Sequence, residues 1–407
     1  MIRLYPNEEI LAQPRGEESP DAPIDPRQAM DRLAEAVARL FGLKRGFCAA
    51  SGRAALAAIL SGLNLQPGAR VVLSAYNFYG LAEVIERLGL APVYVDPDPV
   101  AARLDPVRTV TGEADAAVIL VTHLFGVVND AARIRELAGD RAILVEDCCH
   151  ILPSAGNGGA KVGTSGRAAF ISFDRLKLLN AISGGMALTG DDQLAAALAG
   201  NRQPSLRDSR SMIADRLLYE IERLVRRPEL YAIAGRLLAN QRLMDRVRRQ
   251  FRRARRDRQA LQAGLHPLLG DLGLRQLAVL AERQRQRQAL IAFYLERLTA
   301  KAVDEPGRAY ARALGDAFAG TAYGLIVTVD RPAEFQRRAR QWGFEVLIGD
   351  RVASFLPPGS GDDFPRARHL AAHAVKLPVL IDADPRRLAD FVERSTDLAA
   401  ARLAPME

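Results

Sequence analysis

Cysteine is scarce in this 407-residue sequence, which contains three. Cys48 stands alone, and Cys148 and Cys149 are adjacent. An odd number argues against a disulfide framework, and this spacing does not match the cysteine pairs that bind structural zinc. We therefore expect neither disulfides nor a metal site. Cys148 and Cys149 are interpreted as small buried residues at a strand end and not as nucleophiles.

Long apolar runs are also absent, so the sequence offers no candidate for a membrane-spanning helix. The first six residues lack the basic segment and apolar core of a secretory signal. Internal repeats and low-complexity linkers are missing as well. With 49% hydrophobic and 26% charged residues, the composition is ordinary for a globular enzyme. These observations predict a folded protein in the cytoplasm.

The net charge of +8 arises mostly in one segment. Residues 242–258 contain nine arginines and two aspartates, a local net charge of +7, and the rest of the chain is close to neutral. The arginines do not alternate with aromatic residues as in surfaces that bind nucleic acid. We therefore expect no nucleic-acid partner, and a catalytically silent scaffold that binds nucleic acid stays a competing hypothesis.

Apolar, β-rich stretches alternate with helical patterns over the first half of the chain. This alternation predicts an α/β fold with a mostly parallel sheet that helices cover on both faces. The strands are expected at residues 47–50, 70–74, 91–95, 117–122, 142–146, 168–173 and 185–189.

After residue 191 the pattern changes to long helices, and the last part of the chain mixes strands and helices. We predict a large α/β domain over residues 1–204, a helical arginine-rich insertion over 205–262, and a smaller α+β domain over 263–407. In the last domain, strands are expected at 324–329 and 374–380 and helices at 272–298, 333–342 and 384–395.

Two turns near the start of the predicted sheet are candidates for ligand contact. At Gly52 and Arg53 a strand passes into a helix, whose free backbone N–H groups and dipole favour phosphate. Such turns are common, and taken alone this one is more typical of a plain helix start than of a phosphate site. Phe78 follows the next strand, where an aromatic ring can stack on a planar cofactor or simply belong to the core.

The most specific chemical signal is a lysine paired with an aspartate. Asp147 ends an apolar strand, which is where ligands bind in open α/β sheets, and Lys177 follows a later strand. A lysine amine can form a Schiff base with pyridoxal phosphate, and a carboxylate can keep the cofactor's ring nitrogen protonated. Ser172 stands where its hydroxyl can reach the phosphate. A helix N-cap for Asp147 and a surface loop for Lys177 are the alternatives.

The order of these motifs resembles the DegT-type aminotransferases, the sugar-nucleotide branch of the fold type I pyridoxal phosphate enzymes. The resemblance is close over residues 45 to about 195 and looser near Leu377 and Pro378. It implies a seven-stranded, mostly parallel sheet in the large domain and a smaller α+β C-terminal domain. The motifs that carry it lie at residues 51–56, 75–78, 122–126, 146–150, 161–164 and 172–186.

The resemblance also implies roles for individual residues. Lys177 would carry the cofactor and shuttle protons, and Asp147 would bind the pyridine nitrogen. His150 would lie beside the cofactor ring, and Phe78 would stack on its face. The phosphate would be held by Gly52, Arg53 and Ser172. Active sites of this family draw on both subunits, so a homodimer is expected.

Several positions depart from the family pattern. Arg53 stands where relatives usually carry threonine, and the sequence at 174–176 is unusual. Residues 266–271 show no clear equivalent of the segment that contacts the neighbouring subunit's phosphate. The histidine- and tyrosine-containing substrate wall is not evident near residues 343–357. The identity of the substrate is therefore the least determined property.

The sequence predicts an aminotransferase that moves an amino group from an amino acid, with glutamate or glutamine as donor, to a keto sugar that is nucleotide-linked. Relatives that eliminate a sugar hydroxyl carry histidine in place of the Schiff-base lysine, so Lys177 favours transamination. The altered substrate wall leaves lyase, aldolase or racemase chemistry on a non-sugar or lipid-linked substrate as the alternative.

The segment from about 205 to 262 is longer than the family pattern needs. Its apolar helical stripe followed by clustered arginines is typical of a subunit contact or a lid with a solvated basic face. Peripheral contact of residues 210–258 with an anionic membrane is the competing interpretation.

Overall fold

The computed structural model describes residues 5–6, 25–112, 115–153, 161–200, 209–231, 261, 263–302, 304–318, 323–348, 356–357 and 363–400. The arginine-rich segment 242–258 and most of the stretch 349–357 lie outside these residues. Within the described part of the chain, no helix is both long and apolar enough to cross a membrane.

A seven-stranded sheet forms the centre of the first half of the chain, in the order β1-β7-β6-β5-β4-β2-β3. Its neighbours pair in parallel except at β7, which runs antiparallel to both β1 and β6. The predicted α/β class with a mostly parallel sheet is therefore confirmed. The strands are β1 (Arg45–Ala49), β2 (Arg70–Ser74), β3 (Ala91–Val95), β4 (Val118–Thr122), β5 (Ile143–Asp147), β6 (Ala168–Ser172) and β7 (Gly185–Thr189).

Helices cover both faces of this sheet, and β4 shows why. Val118 and Leu120 join the apolar cluster that contains α2 and α3 residues, whereas Ile119 and Val121 join the cluster that contains α5 residues. Because successive side chains on a strand point to opposite faces, a fully apolar strand needs a cover on each side. The helices are α1 (Pro26–Phe41), α2 (Gly52–Gly62), α3 (Gly80–Arg87), α4 (Pro106–Thr111), α5 (Ala131–Ala138) and α6 (Asp192–Gly200).

Helix α7 (Ser209–Val225) is apolar on two faces. Met212 and Tyr219 are buried in a cluster with residues of α1 and the sheet. Ile213, Leu217 and Ile221 are exposed. They lie four residues apart, so they form one continuous apolar stripe.

A long helix, α8 (Leu268–Lys301), packs on α1 and leads into a three-stranded antiparallel sheet of order β8-β10-β9. Residues that follow strands of the large sheet share one buried apolar cluster with residues of the small sheet: Tyr76 follows β2, Leu124 follows β4, and Leu325 and Leu377 belong to the small sheet. The predicted boundaries at 204 and 262 stay predictions. The remaining elements are α9 (Glu305–Phe318), β8 (Leu325–Thr328), α10 (Pro332–Gln341), β9 (Leu347–Ile348), α11 (Pro365–His373), β10 (Ala374–Leu377) and α12 (Pro385–Ala400).

Candidate active site

The strands that run in one direction end at a common edge of the large sheet, and all seven predicted site residues lie there. Gly52 and Arg53 follow β1, Phe78 follows β2, and the others stand at or after the ends of β5 and β6. In open α/β sheets this carboxyl edge is where ligands bind. The individual contacts show which of these residues the fold brings together.

The turn between β1 and α2 lies directly against the end of β6. Ser51 caps the helix, because its Oγ accepts a hydrogen bond of 3.1 Å from the Ala54 N–H. A Cβ added at Gly52 would lie 3.1 Å from Cys149 Sγ and 3.2 Å from Ser172 Cβ. The helix N-terminus and the neighbouring serine therefore form a cradle suited to an anion.

A second glycine turn closes the cradle from the other side. Gly184 forms a bridge with Ser51 and has a φ of +118°, a conformation that L side chains rarely adopt. A Cβ at Gly185 would lie 2.5 Å from the Gly52 nitrogen. Only glycine allows the chain that leaves the Lys177 loop to pass this close to the helix start.

Asp147 is the last residue of β5 and is buried. Its Oδ1 accepts a 2.9 Å hydrogen bond from the Cys149 N–H, so it closes a short turn and does not cap a helix. Burial raises the pKa of the Asp147 carboxyl above its ordinary value, and the Cys149 hydrogen bond and the charge of Lys177 oppose that rise. A cationic ring N–H is the kind of partner that stabilises such a buried carboxylate.

The His150 ring lies in an aromatic stack at the same edge. It is nearly parallel to the Tyr323 ring at 4.2 Å and to the Phe125 ring at 5.8 Å. Its Nδ1 accepts from the Phe125 N–H at 3.1 Å, so a neutral ring carries its proton on Nε2. Burial, followed by the nearby charges of Lys177 and Lys376, holds the pKa of His150 well below its usual value.

Lys177 lies in the loop between β6 and β7, and its Nζ is 5.4 Å from the centre of the Tyr323 ring. Hydrogen bonds fix this loop, since the Lys177 N–H donates to the Asp174 carbonyl at 2.8 Å and Ser172 Oγ accepts from the Asp174 N–H at 3.3 Å. The lysine is therefore presented by an ordered loop and not by an unstructured surface segment.

Helix α7 holds the lysine loop from outside. Asn180 Nδ2 donates to the Tyr219 hydroxyl at 3.3 Å, and Arg175 Nη1 lies 2.9 Å from Glu222 Oε2. Arg175, one of the unusual residues between Ser172 and Lys177, thus binds helix α7, which lies in the predicted insertion. No local sequence pattern indicates this contact.

Phe78 and Arg53 lie together over the start of α3. A Cβ added at Gly80 would lie 2.5 Å from the Phe78 ring and 3.1 Å from Arg53 Cδ. Phe78 is 43% exposed, whereas Tyr76 two residues earlier is 1% exposed, so Tyr76 takes the core position and leaves Phe78 available to a ligand. Arg53 Nη1 also lies 4.0 Å from Glu83 Oε2.

A buried hydrogen-bond network around Glu146 lies next to this edge of the large sheet. We did not predict it from the sequence. Glu146 Oε2 accepts from His123 Nε2 at 3.1 Å and from the Gly163 N–H at 2.9 Å. Its Oε1 accepts from the Ser165 and Gly166 N–H groups at 2.7 and 2.9 Å. Burial alone would raise the pKa of Glu146, but these hydrogen bonds bring it below its ordinary value. The sequence signal that could have indicated this network is Glu146 itself, an acidic residue inside an apolar strand.

Tyr323 and Lys376 were also missed. Tyr323 immediately precedes the small sheet, and Lys376 lies on β10, so both come from the part of the chain where the family resemblance is loose. A lysine within an otherwise apolar strand was a signal for Lys376. No sequence spacing connects Tyr323 with His150.

Known proteins are similar to this chain in sequence. A family model described as the DegT/DnrJ/EryC1/StrS aminotransferase family matches residues 24–313. The L-glutamine:2-deoxy-scyllo-inosose aminotransferase of Streptomyces kanamyceticus is 34% identical over 150 residues, which are 36% of this chain and 35% of that protein. The UDP-N-acetyl-3-dehydro-alpha-D-glucosamine 3-aminotransferase of Acidithiobacillus ferrooxidans is 34% identical over 170 residues, 41% of this chain and 46% of that protein. The matches span less than half of each relative's length.

Solved structures extend the likeness to nearly the whole chain. The E. coli GDP-4-keto-6-deoxy-D-mannose-3-dehydratase with bound hydrated PLP has a TM-score of 0.67 at 14% identity, covering 98% of this chain and 100% of that one. This similarity shows the fold, and it confirms the expected fold class. The family model covers most of the chain, so the family resemblance seen in the sequence is confirmed as well. The chain belongs to the DegT/DnrJ/EryC1/StrS aminotransferase family.

Proposed function

We propose that this protein is a pyridoxal-phosphate-dependent aminotransferase that transfers the amino group of an amino acid to a keto sugar. The proposed donor is glutamate or glutamine, in line with the name of the Streptomyces relative. The proposed acceptor is nucleotide-linked, in line with the name of the Acidithiobacillus relative. The observation that carries the proposal is that Asp147, His150 and Lys177 stand at the sheet edge that also holds the Gly52 cradle, with the charge of Lys177 close enough to act on both Asp147 and His150.

The residues at this edge fit the cofactor. The start of α2 at Gly52 and the adjacent Ser172 would hold the phosphate, and Arg53 would add a positive charge beside it. Asp147 would bind the ring nitrogen, where a protonated nitrogen would stabilise the buried carboxylate. His150 would lie beside the ring, and the exposed Phe78 would cover one of its faces.

When bound, pyridoxal phosphate supplies an electron sink that lets an amino group pass between two carbon skeletons. Lys177 would anchor the cofactor through Nζ and, once displaced by the donor's amine, would move a proton with the same atom. The ordered loop around Asp174 keeps this amine in place. His150 would stay neutral, so it adds no further positive charge next to the lysine.

Incubation of the cofactor-loaded protein with glutamate and with glutamine tests the proposal. We expect the cofactor absorbance to change from that of the lysine-bound form to that of the amine form. Lys177→Ala should abolish this change, whereas Lys44→Ala, on the exposed surface, should not affect it. Absence of the change with every amino donor would exclude transamination and leave lyase or aldolase chemistry.

A homodimer is part of the proposal. The exposed stripe of Ile213, Leu217 and Ile221 is a surface that a second copy would cover, since exposed apolar stripes of this kind often mark protein contacts. Membrane contact through residues 210–258 is the competing explanation of the stripe. A cytoplasmic location stays a prediction.

A further inference from the structure

A second buried lysine faces the candidate active site from the small sheet. Lys376 is on β10, the central strand, where it is paired with Ile326 of β8 and Leu347 of β9. It is 4% exposed, although lysine is rarely so buried in folded proteins. Its strand neighbours Val375 and Leu377 are apolar and fully buried, so the lysine is an exception within its own element.

The side chain of Lys376 extends to the aromatic stack beside His150. Its Nζ lies 4.6 Å from the centre of the Tyr323 ring, and Lys177 Nζ lies 5.4 Å from the same centre. Space for the side chain is provided by Gly324, where an added Cβ would lie 2.9 Å from Lys376 Cε. Two amines from different domains of the chain therefore surround one tyrosine ring at the proposed cofactor site.

The electrostatics of the stack agree with this geometry. The charges of both Lys177 and Lys376 contribute to holding the pKa of His150 below its usual value, so Lys376 acts on the same ring as the cofactor lysine. An ammonium in a buried setting gains much more from an anionic ligand than an exposed one does, because little water screens the pair. A charged Lys376 would therefore favour an anionic group of a ligand at this end of the site.

An amino-acid donor brings such an anion. Its carboxylate is attached to the carbon that carries the reacting amine, so it enters the site together with the group that must reach Lys177. We propose that Lys376 is the binding residue for a substrate carboxylate at the cofactor site, an inference that rests on the proposed function. The carboxylate belongs either to the amino donor or to a carboxylated keto acceptor.

Equilibrium binding of glutarate, a dicarboxylate that lacks an amine and cannot react, measures this contact apart from catalysis. Calorimetric titration of the cofactor-loaded protein should show glutarate binding that is about 10- to 100-fold weaker in Lys376→Met, the loss typical of one charged hydrogen bond. Lys376→Arg should recover part of the affinity. Lys44→Met, which removes an exposed lysine, should bind as the wild type does.

The same variants separate the two sources of the carboxylate. If it comes from the donor, Lys376→Met should raise the concentration of glutamate needed for the absorbance change by a similar factor and leave the acceptor half-reaction unchanged. If it comes from the acceptor, only the second half-reaction should weaken. Glutarate affinity that is equal in Lys376→Met and wild type, or undetectable in wild type, would overturn the assignment.

Loss of cofactor uptake in Lys376→Met would also overturn the proposed role of Lys376, because the lysine would then belong to the cofactor's own binding site. Failure of the proposed function has a different signature. In that case glutarate binding would depend on Lys376, but no amino donor would change the cofactor absorbance of the wild-type protein.

Discussion

The ring of Tyr323 stacks on the ring of His150 at 4.2 Å with an angle of 13° between their planes. His150 follows strand β5 of the large sheet, and Tyr323 precedes the first strand of the small one. The contact therefore joins the two sheets at the proposed cofactor site. The stack also positions Tyr323, whose ring lies close to both Lys177 and Lys376.

Tyr323→Leu should remove this stack and weaken cofactor binding. An aromatic pair contributes about 0.5–1.5 kcal/mol beyond its buried area, which corresponds to roughly a 3- to 10-fold loss of affinity. Tyr323→Phe keeps the ring and should bind the cofactor nearly as the wild type does. Fluorescence titration with pyridoxal phosphate measures both variants, and equal losses in both would show that the stack itself is unimportant.

Asp147→Asn should separate stability from activity. Because burial raises the pKa of this carboxyl, its contribution to stability is present below the unfolded pKa of about 3.9 and is lost as the pH rises through the folded pKa. Before cofactor is bound, the variant should therefore melt at the same temperature as the wild type or higher at neutral pH. The asparagine oxygen can still accept from the Cys149 N–H.

The same substitution should lower the transamination rate by about 10²- to 10³-fold, since the ring nitrogen loses its ionised partner. Asp192→Asn, at an exposed site, is the matched control. Calorimetric melting of the cofactor-free proteins and single-turnover absorbance measurements provide the two readouts. A large destabilisation of cofactor-free Asp147→Asn at neutral pH would contradict the argument from burial.

Glu146→Gln should destabilise the protein by about 1–3 kcal/mol, because the amide nitrogen cannot accept from the N–H groups that the carboxylate binds. The folded pKa of Glu146 is lowered, so its contribution is present above the unfolded pKa of about 4.3 and is lost as the pH falls through the folded value. Urea unfolding should show the difference at neutral pH and a smaller one in acid. Glu136→Gln, which is exposed, should show neither effect.

Tyr219→Phe tests whether α7 orders the lysine loop. Loss of the hydrogen bond from Asn180 should cost about 0.5–1.5 kcal/mol and should increase hydrogen exchange in residues 173–184. Ile213→Ser, on the exposed side of the same helix, should leave exchange in the loop unchanged. Unchanged exchange in Tyr219→Phe would mean that the loop is held by its own hydrogen bonds.

The double substitution Leu217→Glu with Ile221→Glu should dissociate the proposed dimer, because it places two carboxylates in the apolar stripe of α7. Arg216→Glu, also exposed on this helix, is the control for added negative charge. Sedimentation velocity gives the oligomeric state. A monomeric wild type that sediments with anionic vesicles, and loses that binding in the double variant, would favour the membrane interpretation instead.

The large sheet could be predicted because its strands are short apolar runs between turn signals, as at β2 and β3, whose ends agree with the prediction. Helix α9 was not predicted because Pro306, Gly307 and Gly315 interrupt its helical pattern. The two-residue strand β9 is too short to show any period. In these elements the tertiary contacts outweigh the local preferences.

The residues of the candidate site also fall into two groups, those that a local motif indicates and those that only tertiary contacts bring to the site. Lys177, Asp147 and Gly52 stand in local motifs whose chemistry can be recognised from a few adjacent residues. Tyr323 and Lys376 act through contacts between distant parts of the chain, so no spacing reveals them. Arg175 and Tyr219 belong to a contact between the lysine loop and helix α7, which joins distant parts of the chain in the same way.

The antiparallel strand β7 lies between β1 and β6, although it comes last of the seven strands in the chain. On the ribosome, β1 therefore has no strand partner until Thr189 has emerged, and neither glycine turn can meet the other before then. Such long-range pairing is slow, and exposed strand edges are prone to wrong association. We therefore expect the proposed cofactor site to assemble only after β7 has been synthesised.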